Sequence, residues 1–318
     1  MRTLYLDRKN AVLEHDSGAL LVRIPGERPA RVPLVGLERV IVKGEAKLSS
    51  GLLAALHEAD VGLLVLSGRR SEPKATLLGR PHADVRLRLG QFEAARDPAR
   101  RLALARPLVL AKLDGQTRLL ARALEARPDL RHPLTAALEA IAARKELART
   151  ADLAGLLGCE GAAAAAYFEA FAALFPPALG MQGRNRRPPK DPVNAALSLG
   201  YTLATHAAVR AAAQVGLDPL LGFLHAPAFD RPALACDLVE PVRCHVDELV
   251  WRLFAERRLR PEGFRSEPSG CLMGKAARET FYGAFEEELA ALPRLLRQMA
   301  SGLARELRAV PLPEWLGC

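Results

Sequence analysis

The sequence predicts an α+β protein of two domains, a small β-rich N-terminal domain followed by a larger all-α domain. Short alternating segments separated by turn residues fill the first 70 residues, and helical spacing of apolar residues replaces them from about residue 86 onward. Abundant Ala, Leu and Arg with few aromatics also favour helices. We place the β-rich domain at 1–72, a linker rich in Gly, Pro and charge at 73–85, and the α-helical domain at 86–318.

The β-rich domain is predicted from five short segments, one helix and a buried strand. The segments are TLYLD, AVLEH, ALLVRI, RVPL and RVIVK, separated by Asn, Ser-Gly and Pro-Gly. A helix from Ser49 or Ser50 through Ala59 precedes VGLLVLS, an apolar run typical of a buried strand.

Two long helices of the second domain are predicted from the residues that begin them. Asp97-Pro98 and Asp191-Pro192 each place an N-cap acid before a proline at the first helical position. The second of these helices ends at Gly216. Further helices are predicted near 134–147, 160–175, 237–256 and 275–304.

The charge balance favours an anionic partner. Lys and Arg number 45 against 36 Asp and Glu, a formal charge of +9 that attracts polyanions such as nucleic acid. The first ten residues carry charge where a signal peptide has its apolar core, and no run of eighteen apolar residues occurs, so we expect a cytoplasmic protein with no membrane partner. The five cysteines form no CxxC pair, which argues against a disulfide framework or a standard zinc finger.

Two acids and a histidine stand out in GFLHAPAFDRPALACDLVEPVR, residues 222–243. Asp237 and Glu240 are three apart, so on a helix they face the same way. His225 precedes them across a Pro-containing turn, and an imidazole with carboxylates suits Mn²⁺ or Mg²⁺ better than zinc. The alternatives are a structural histidine and acids that complement a helix dipole, with Arg243 pairing to Glu240.

Glu160 is the best candidate for a further oxygen ligand. It lies in GCEGAAAAAYFEAF, where Gly and Ala leave its carboxylate uncrowded. The alternative is an acid placed at a helix N-terminus for the dipole. A zinc site made of Cys159, Cys236 and His225 is also conceivable, but its irregular spacing disfavours it.

Four basic residues crowd the loop GRNRRPPKDPVN, residues 183–194, namely Arg184, Arg186, Arg187 and Lys190. They precede a helix N-terminus, where guanidinium groups and backbone N–H groups both attract phosphates. No aromatic residues interleave them, so contact with a duplex backbone is favoured over stacking on single strands. A solvated basic loop is the alternative.

Together, hard-metal ligands and a basic loop in a basic chain describe metal-assisted attack on a phosphodiester. A hydrolase of small phosphorylated molecules shares these parts. Residue types and spacing leave both possibilities open.

The order of these segments resembles the CRISPR-associated integrase family, the metal-dependent enzyme of the spacer-acquisition module (Cas protein one). The resemblance runs the whole length of the chain. Its densest motifs are LLGRPHADVRLRLGQF at 77–92, GCEGAAAAAYF at 158–168, GRNRRPPKDPVNAALSLGYTL at 183–203, and the 222–243 segment quoted above.

The resemblance implies that Glu160, His225 and Glu240 ligate Mg²⁺ or Mn²⁺, with Asp237 an acidic neighbour needed for catalysis. It also implies a homodimer paired through the β domains, and two dimers flanking a small ferredoxin-like partner (Cas protein two). The assembly would hold double-stranded DNA, the prespacer, and join its 3′-OH ends to a CRISPR repeat by transesterification. With water as nucleophile the same site would act as an endonuclease.

Two other functions remain open at this point. One is a stand-alone, structure-specific DNA endonuclease with the same metal site and no partner. The other is a non-catalytic DNA-binding scaffold whose acids are structural.

Overall fold

The structure, a computed structural model, describes residues 3–80, 82, 84–185, 188–229, 231–268 and 270–309. The chain divides into two compact units, Met1–Ala83 and Asp84–Cys318. The first unit is rich in strands and the second is mainly helical, which confirms the predicted α+β class.

Two four-stranded sheets and one helix form the first unit. One sheet has the order β1 (Thr3–Leu6), β5 (Arg39–Lys43), β7 (Gly62–Leu66), β8 (Pro73–Leu77), with only β8 antiparallel to its neighbour. The other has the order β4 (Ala30–Pro33), β3 (Ala19–Arg23), β2 (Ala11–Asp16), β6 (Ala46–Leu48), with β6 parallel to β2 and the remaining pairs antiparallel.

The core of this unit joins both sheets to helix α1 (Ser50–Glu58). Leu13, Val40 and Leu56 represent its three parts and are almost completely buried. Strand β5 is buried along its whole length, as expected for an apolar strand between two parallel neighbours. The predicted helix begins where expected, because the Ser49 side chain accepts a hydrogen bond from Leu52 N.

The segment 73–85, predicted as a linker, begins with a strand. β8 pairs antiparallel with β7 at the edge of its sheet, and helix α2 (Val85–Arg96) begins at the other end of the segment, capped by Asp84. Charge and proline are typical of an exposed edge strand as well as of a linker, which is why composition alone did not distinguish them.

The helices of the second unit follow α2 as α3 (Pro98–Ala126), α4 (Arg131–Thr150), α5 (Leu153–Ala173), α6 (Pro192–Val215), α7 (Ala233–Val239), α8 (Arg243–Ala255), α9 (Lys275–Glu288) and α10 (Leu292–Arg308). Both predicted N-caps are confirmed. Asp97 accepts a hydrogen bond from Ala99 N at 2.9 Å and Asp191 accepts one from Asn194 N at 2.8 Å. α6 ends at Gly216, whose φ of 94° is left-handed.

The helix predicted at 237–256 is interrupted. α7 ends at Val239, a 3₁₀ turn covers Glu240–Val242, and α8 begins at Arg243. Pro241 explains the break, since it lacks the N–H that a continuous helix would use and its ring crowds the preceding turn. The helix predicted at 275–304 is likewise divided into α9 and α10. An antiparallel hairpin of β9 (Phe264–Glu267) and β10 (Gly270–Met273) was not predicted.

Helix α6 is buried over most of its length. Its Gly200 allows close packing on α8, since a Cβ there would collide with the Val246 side chain. Neither α6 nor any other helix of the described residues is long and apolar enough to cross a membrane.

Candidate metal centre

Asp237, on α7, is completely buried and holds the loop that carries His225. Its Oδ2 accepts hydrogen bonds from Phe223 N at 2.6 Å and Leu224 N at 3.0 Å, and its Oδ1 accepts one from His225 N at 3.0 Å. Successive backbone N–H groups converging on a carboxylate fix the path of the loop. The backbone of His225 is therefore positioned independently of the contacts of its side chain.

Gly222 lets this loop approach α7. A Cβ at position 222 would lie 2.7 Å from Asp237 Oδ2 and 2.8 Å from the carbonyl carbon of Ala233. The second atom belongs to the backbone and cannot rotate away. The Gly at the start of GFLH is therefore a packing requirement of the site.

Two side chains from α2 and α3 clamp the same loop. Gln91 is fully buried, and its amide donates to Asp218 O at 2.9 Å and Leu221 O at 2.8 Å. Arg101 donates to Phe223 O at 2.7 Å. The loop is thus held from both sides, by the carboxylate of α7 and by donors of the two preceding helices.

The two ring nitrogens of His225 face different carboxylates. Nδ1 lies 2.6 Å from Asp237 Oδ1, and Nε2 lies 3.9 Å from Glu240 Oε1. In a neutral imidazole that donates through Nδ1, the lone pair is on Nε2, the nitrogen available to a metal. Asp237 and Glu240 both face this ring.

Lys112, on α3, joins the two glutamates. Its Nζ pairs with Glu160 Oε1 of α5 and lies 2.5 Å from Glu240 Oε2; the second contact is an ion pair whose angles fall outside those of a hydrogen bond. One ammonium group therefore fills the space between the carboxylates. Gly115 permits the close packing of α3 on α8, because a Cβ at position 115 would lie 3.3 Å from Cys244 Sγ.

Glu240 is ionised although it is only 3 % exposed. Burial by itself would raise the pKa of its carboxyl, but the charges of Arg243 and Lys112 outweigh burial and lower the pKa to about 2. Arg243 also donates a hydrogen bond to Glu240 Oε1. The pairing of Arg243 with Glu240, expected if the acids are purely structural, is thus present. Glu240 also contacts Lys112 and faces His225, as the candidate metal centre requires.

A buried polar network lies behind Arg243. Its guanidinium carbon is 4.2 Å from the centroid of the Tyr201 ring, a cation–π contact. The hydroxyls of Tyr201 and Tyr167 both donate to the carboxylate of Asp247, the latter at 2.9 Å. Burial raises the pKa of Asp247, while the tyrosine hydrogen bonds and Arg243 act in the opposite direction. The network fixes the ring on which Arg243 lies.

Glu160 is not at a helix N-terminus, contrary to the sequence-based expectation. α5 begins at Leu153, and Asp152 caps it by accepting a hydrogen bond from Gly155 N at 2.8 Å. Since the dipole effect fades within the first turn, it does not explain an acid two turns further along.

Arg184, at the start of the basic loop, contacts side chains of α6. The Arg184 guanidinium donates to Asn194 Oδ1 at 2.7 Å and to Ser198 Oγ at 3.1 Å, and it lies 5.3 Å from the centroid of the Tyr201 ring. The guanidinium thus packs against α6, near the network behind Arg243.

Lys190 is exposed at the end of this loop, where its backbone N–H donates to Asn185 Oδ1 at 2.7 Å. Arg186 and Arg187 lie outside the described residues.

The donors of the candidate centre fit a hard divalent cation. Two carboxylates and an imidazole nitrogen are the mixed oxygen and nitrogen set that Mg²⁺ or Mn²⁺ accepts, and the carboxylates already share one cation, the Lys112 ammonium. Within the described ranges, no three His, Cys, Asp or Glu side chains are assembled as a metal site, and Cys159 and Cys236 do not complete one with His225.

Sequence comparison identifies the family. The family model for CRISPR associated protein Cas1 matches residues 4–287. The chain belongs to the Cas1 family. The CRISPR-associated endonuclease Cas1 1 of Thermodesulfovibrio yellowstonii is 32 % identical over 311 residues, covering 96 % of this chain and 97 % of that protein. The CRISPR-associated endonuclease Cas1 3 of Thermus thermophilus is 35 % identical over 290 residues, covering 90 % and 84 %.

Solved structures share the fold. A CAS1 protein from Thermotoga maritima superposes with a TM-score of 0.83 at 21 % identity, covering 98 % of both chains. A casposase bound to integration product has a TM-score of 0.83 at 21 % identity, covering 96 % of this chain and 91 % of that one. A Cas6-RT-Cas1–Cas2 complex has a TM-score of 0.81 at 21 % identity, covering 96 % of this chain and 35 % of that one.

The Cas1 assignment confirms the family that the four motifs predicted, and with it an enzyme of the nuclease class. Sequence reasoning missed Lys112. Its signal was present, because Lys112 falls on the apolar stripe of α3 between the buried residues Val109, Leu113 and Gln116. A lysine on the buried side of a helix needs an anionic partner.

Proposed function

We propose that this Cas1-family protein is the integrase of CRISPR adaptation, joining prespacer 3′-OH ends to the CRISPR repeat in a metal-dependent reaction. The observation that carries the proposal is that Glu160 and Glu240 pair with one cation, Lys112, while Nε2 of His225 lies 3.9 Å from Glu240 Oε1. Such a donor set serves phosphoryl transfer when a phosphodiester is brought to it.

Glu160, His225 and Glu240 are the ligands in this proposal. These three residues would hold Mg²⁺ or Mn²⁺, which when bound would supply Lewis acidity for the charge on the leaving oxygen. Asp237 acts through His225, since it holds both the backbone and the Nδ1 side of that residue. Glu240 is ionised across the neutral range because its pKa is about 2.

The reaction exchanges one phosphodiester for another. The 3′ oxygen of the prespacer forms a bond to the phosphorus at the 5′ end of the repeat strand, and the bond from that phosphorus to the 3′ oxygen of the flanking nucleotide breaks. One proton passes, in net terms, from the attacking hydroxyl to the leaving one. With water as the nucleophile, the same groups hydrolyse the strand.

The partners of the proposed reaction are double-stranded DNA, as prespacer and repeat, and the small ferredoxin-like Cas protein two. The names of two structures with the same fold support this, one bound to an integration product and one in a Cas1–Cas2 complex. The active form is a homodimer paired through the β-rich first domain, and it works in the cytoplasm. DNA backbone contacts come from the loop that holds Arg184, Arg186, Arg187 and Lys190.

The test is a strand-joining assay. Purified protein and its Cas2 partner are incubated with a labelled duplex bearing 3′-OH ends and a supercoiled repeat-containing plasmid, in Mn²⁺ or in EDTA. Glu160→Gln, His225→Ala and Glu240→Gln should each abolish joining. Glu146→Gln is the matched control, because Glu146 lies on the surface of α4 in an exposed pair with Arg149.

Label joined to the plasmid only in Mn²⁺ and only with an intact site would support the integrase. Cleavage without joining, independent of repeat and partner, would replace it with a stand-alone endonuclease. DNA binding without turnover in either condition would replace it with a scaffold. Turnover retained in any of the three site variants would refute the ligand assignment.

A further inference from the structure

Lys112 is a buried cation of the candidate metal centre that contacts both glutamates. It is 4 % exposed, and its Nζ contacts carboxylates from two other elements, Glu160 on α5 and Glu240 in the 3₁₀ turn. An ammonium group is rarely buried unless it is paired, and here both partners are proposed metal ligands. The position of Lys112 is therefore tied to the charge of the metal centre.

Two cations of the chain pair with the two glutamates. Lys112 lies within ion-pair distance of Glu160 and Glu240, and Arg243 lies within ion-pair distance of Glu240. Burial of Glu240 without these cations would carry a large desolvation cost. The two basic residues thus allow the acids to remain folded into the site in the absence of metal.

The Lys112 ammonium opposes a further cation at these carboxylates. A divalent ion between Glu160 and Glu240 would meet the Lys112 ammonium at a few ångströms in a buried site, where like charges repel strongly. Metal and ammonium therefore compete for the same two carboxylates.

We propose, building on the metal site described under Proposed function, that Lys112 is a built-in competitor of the divalent ion. It stabilises the ligand cluster when no metal is bound, and it lowers the affinity of the site for Mg²⁺ or Mn²⁺. Removing its charge should therefore have two opposite effects, tighter metal binding and a less stable metal-free protein.

The experiment measures Mn²⁺ binding by electron paramagnetic resonance and by calorimetry, with no DNA or partner present. Lys112→Met removes the charge, and Lys112→Gln removes it while keeping a polar group in case the methionine variant folds poorly. Both should bind Mn²⁺ about tenfold more tightly than the unmodified chain. Lys145→Met is the control, since Lys145 pairs with Asp114 outside the site and should leave the affinity unchanged.

Thermal melting provides a second readout. In EDTA both Lys112 variants should melt below the unmodified protein, and at a fixed Mn²⁺ concentration their melting temperature should rise more, because tighter binding stabilises the folded state more. Unchanged or weaker Mn²⁺ affinity in folded Lys112 variants would overturn the role of Lys112 while leaving the metal site intact. Mn²⁺ binding that Glu160→Gln does not affect would overturn the metal site and the competition together.

Discussion

The Nδ1 nitrogen of His225 lies 2.6 Å from Oδ1 of Asp237, and the same carboxylate accepts the backbone N–H groups of residues 223 to 225. Asp237 therefore orients the imidazole and the loop at once. It leaves Nε2 directed toward Glu240, where the metal is proposed to bind. In the proposed reaction, Asp237 is therefore a positioning residue and His225 a metal ligand.

Asp237→Asn should destabilise the protein and weaken metal binding. In the variant, the NH₂ group of the asparagine would face N–H donors that bind a carboxylate oxygen in the unmodified protein. We therefore expect the free energy of unfolding to fall by about 2–3 kcal/mol. Loss of the partner of His225 should also reduce Mn²⁺ affinity by roughly 10–100-fold.

Urea denaturation, Mn²⁺ titration and the ¹⁵N shifts of the His225 ring check these effects. Asp218→Asn is the control, since Asp218 lies in the same loop and its Oδ1 accepts from Leu220 N, a bond that an asparagine keeps. Normal stability and affinity in Asp237→Asn would contradict the positioning role.

Gly222→Ala should destabilise the second unit by about 1–3 kcal/mol, because the new methyl group would meet the backbone of Ala233. Gly158→Ala is the matched control. Gly158 lies inside α5 with open space around it, so alanine there should stabilise by roughly 1 kcal/mol through helix propensity. Urea denaturation of both variants measures the difference, and equal effects would mean that the loop does not need the close approach.

Tyr201→Phe should cost about 1–3 kcal/mol, because the buried carboxylate of Asp247 loses a donor. The loss should grow with pH. Burial raises the pKa of Asp247 in the folded protein above the ordinary value of about 3.9. Protonated Asp247 therefore stabilises the folded state. This contribution is complete below the ordinary pKa and is lost as pH rises through the pKa of the folded state.

Removing the Tyr201 hydroxyl raises that pKa further, so the deficit in unfolding free energy should be larger at pH 7 than at pH 5. Tyr167→Phe, which removes the other donor to Asp247, should behave in the same direction. A deficit independent of pH in both variants would show that Asp247 does not titrate between these values.

Lys190→Ala should weaken binding to any duplex by a similar factor and reduce the slope of log K against log salt by about 1. Lys190 is exposed, so its loss should not affect folding. Lys47→Ala, an exposed lysine on β6, is the comparison. Arg184→Ala should instead lower stability as well as binding, because its guanidinium holds Asn194 and Ser198. An unchanged salt slope in Lys190→Ala would remove this residue from the DNA contact.

Much of the secondary structure could be predicted because its signals are local. The N-caps Asp97 and Asp191, and the stop at Gly216, act on groups a few residues away and lie where they were expected. Two predictions differ from the structure for local reasons. The composition of β8 is typical of a linker as well as of an edge strand, and Pro241 interrupts a pattern that is otherwise helical.

The candidate site was predicted only in part. Residue types singled out Glu160, His225, Asp237 and Glu240, and the structure places the last two against the imidazole of His225. Spacing did not reveal that Asp237 serves the loop backbone, nor that Glu160 lies two turns inside its helix.

The sequence by itself determined the two-part α+β organisation, the ends of its longest helices and the family motifs, because caps, periodicity and motif spacing are properties of neighbouring residues. Only the tertiary structure decided that Lys112 meets Glu160, 48 residues further along, and Glu240 in another element. The physical reason is packing: Gly115 and Gly222 permit close approaches of chain segments far apart in sequence, and the buried charges then pair with whichever partners those approaches bring within reach.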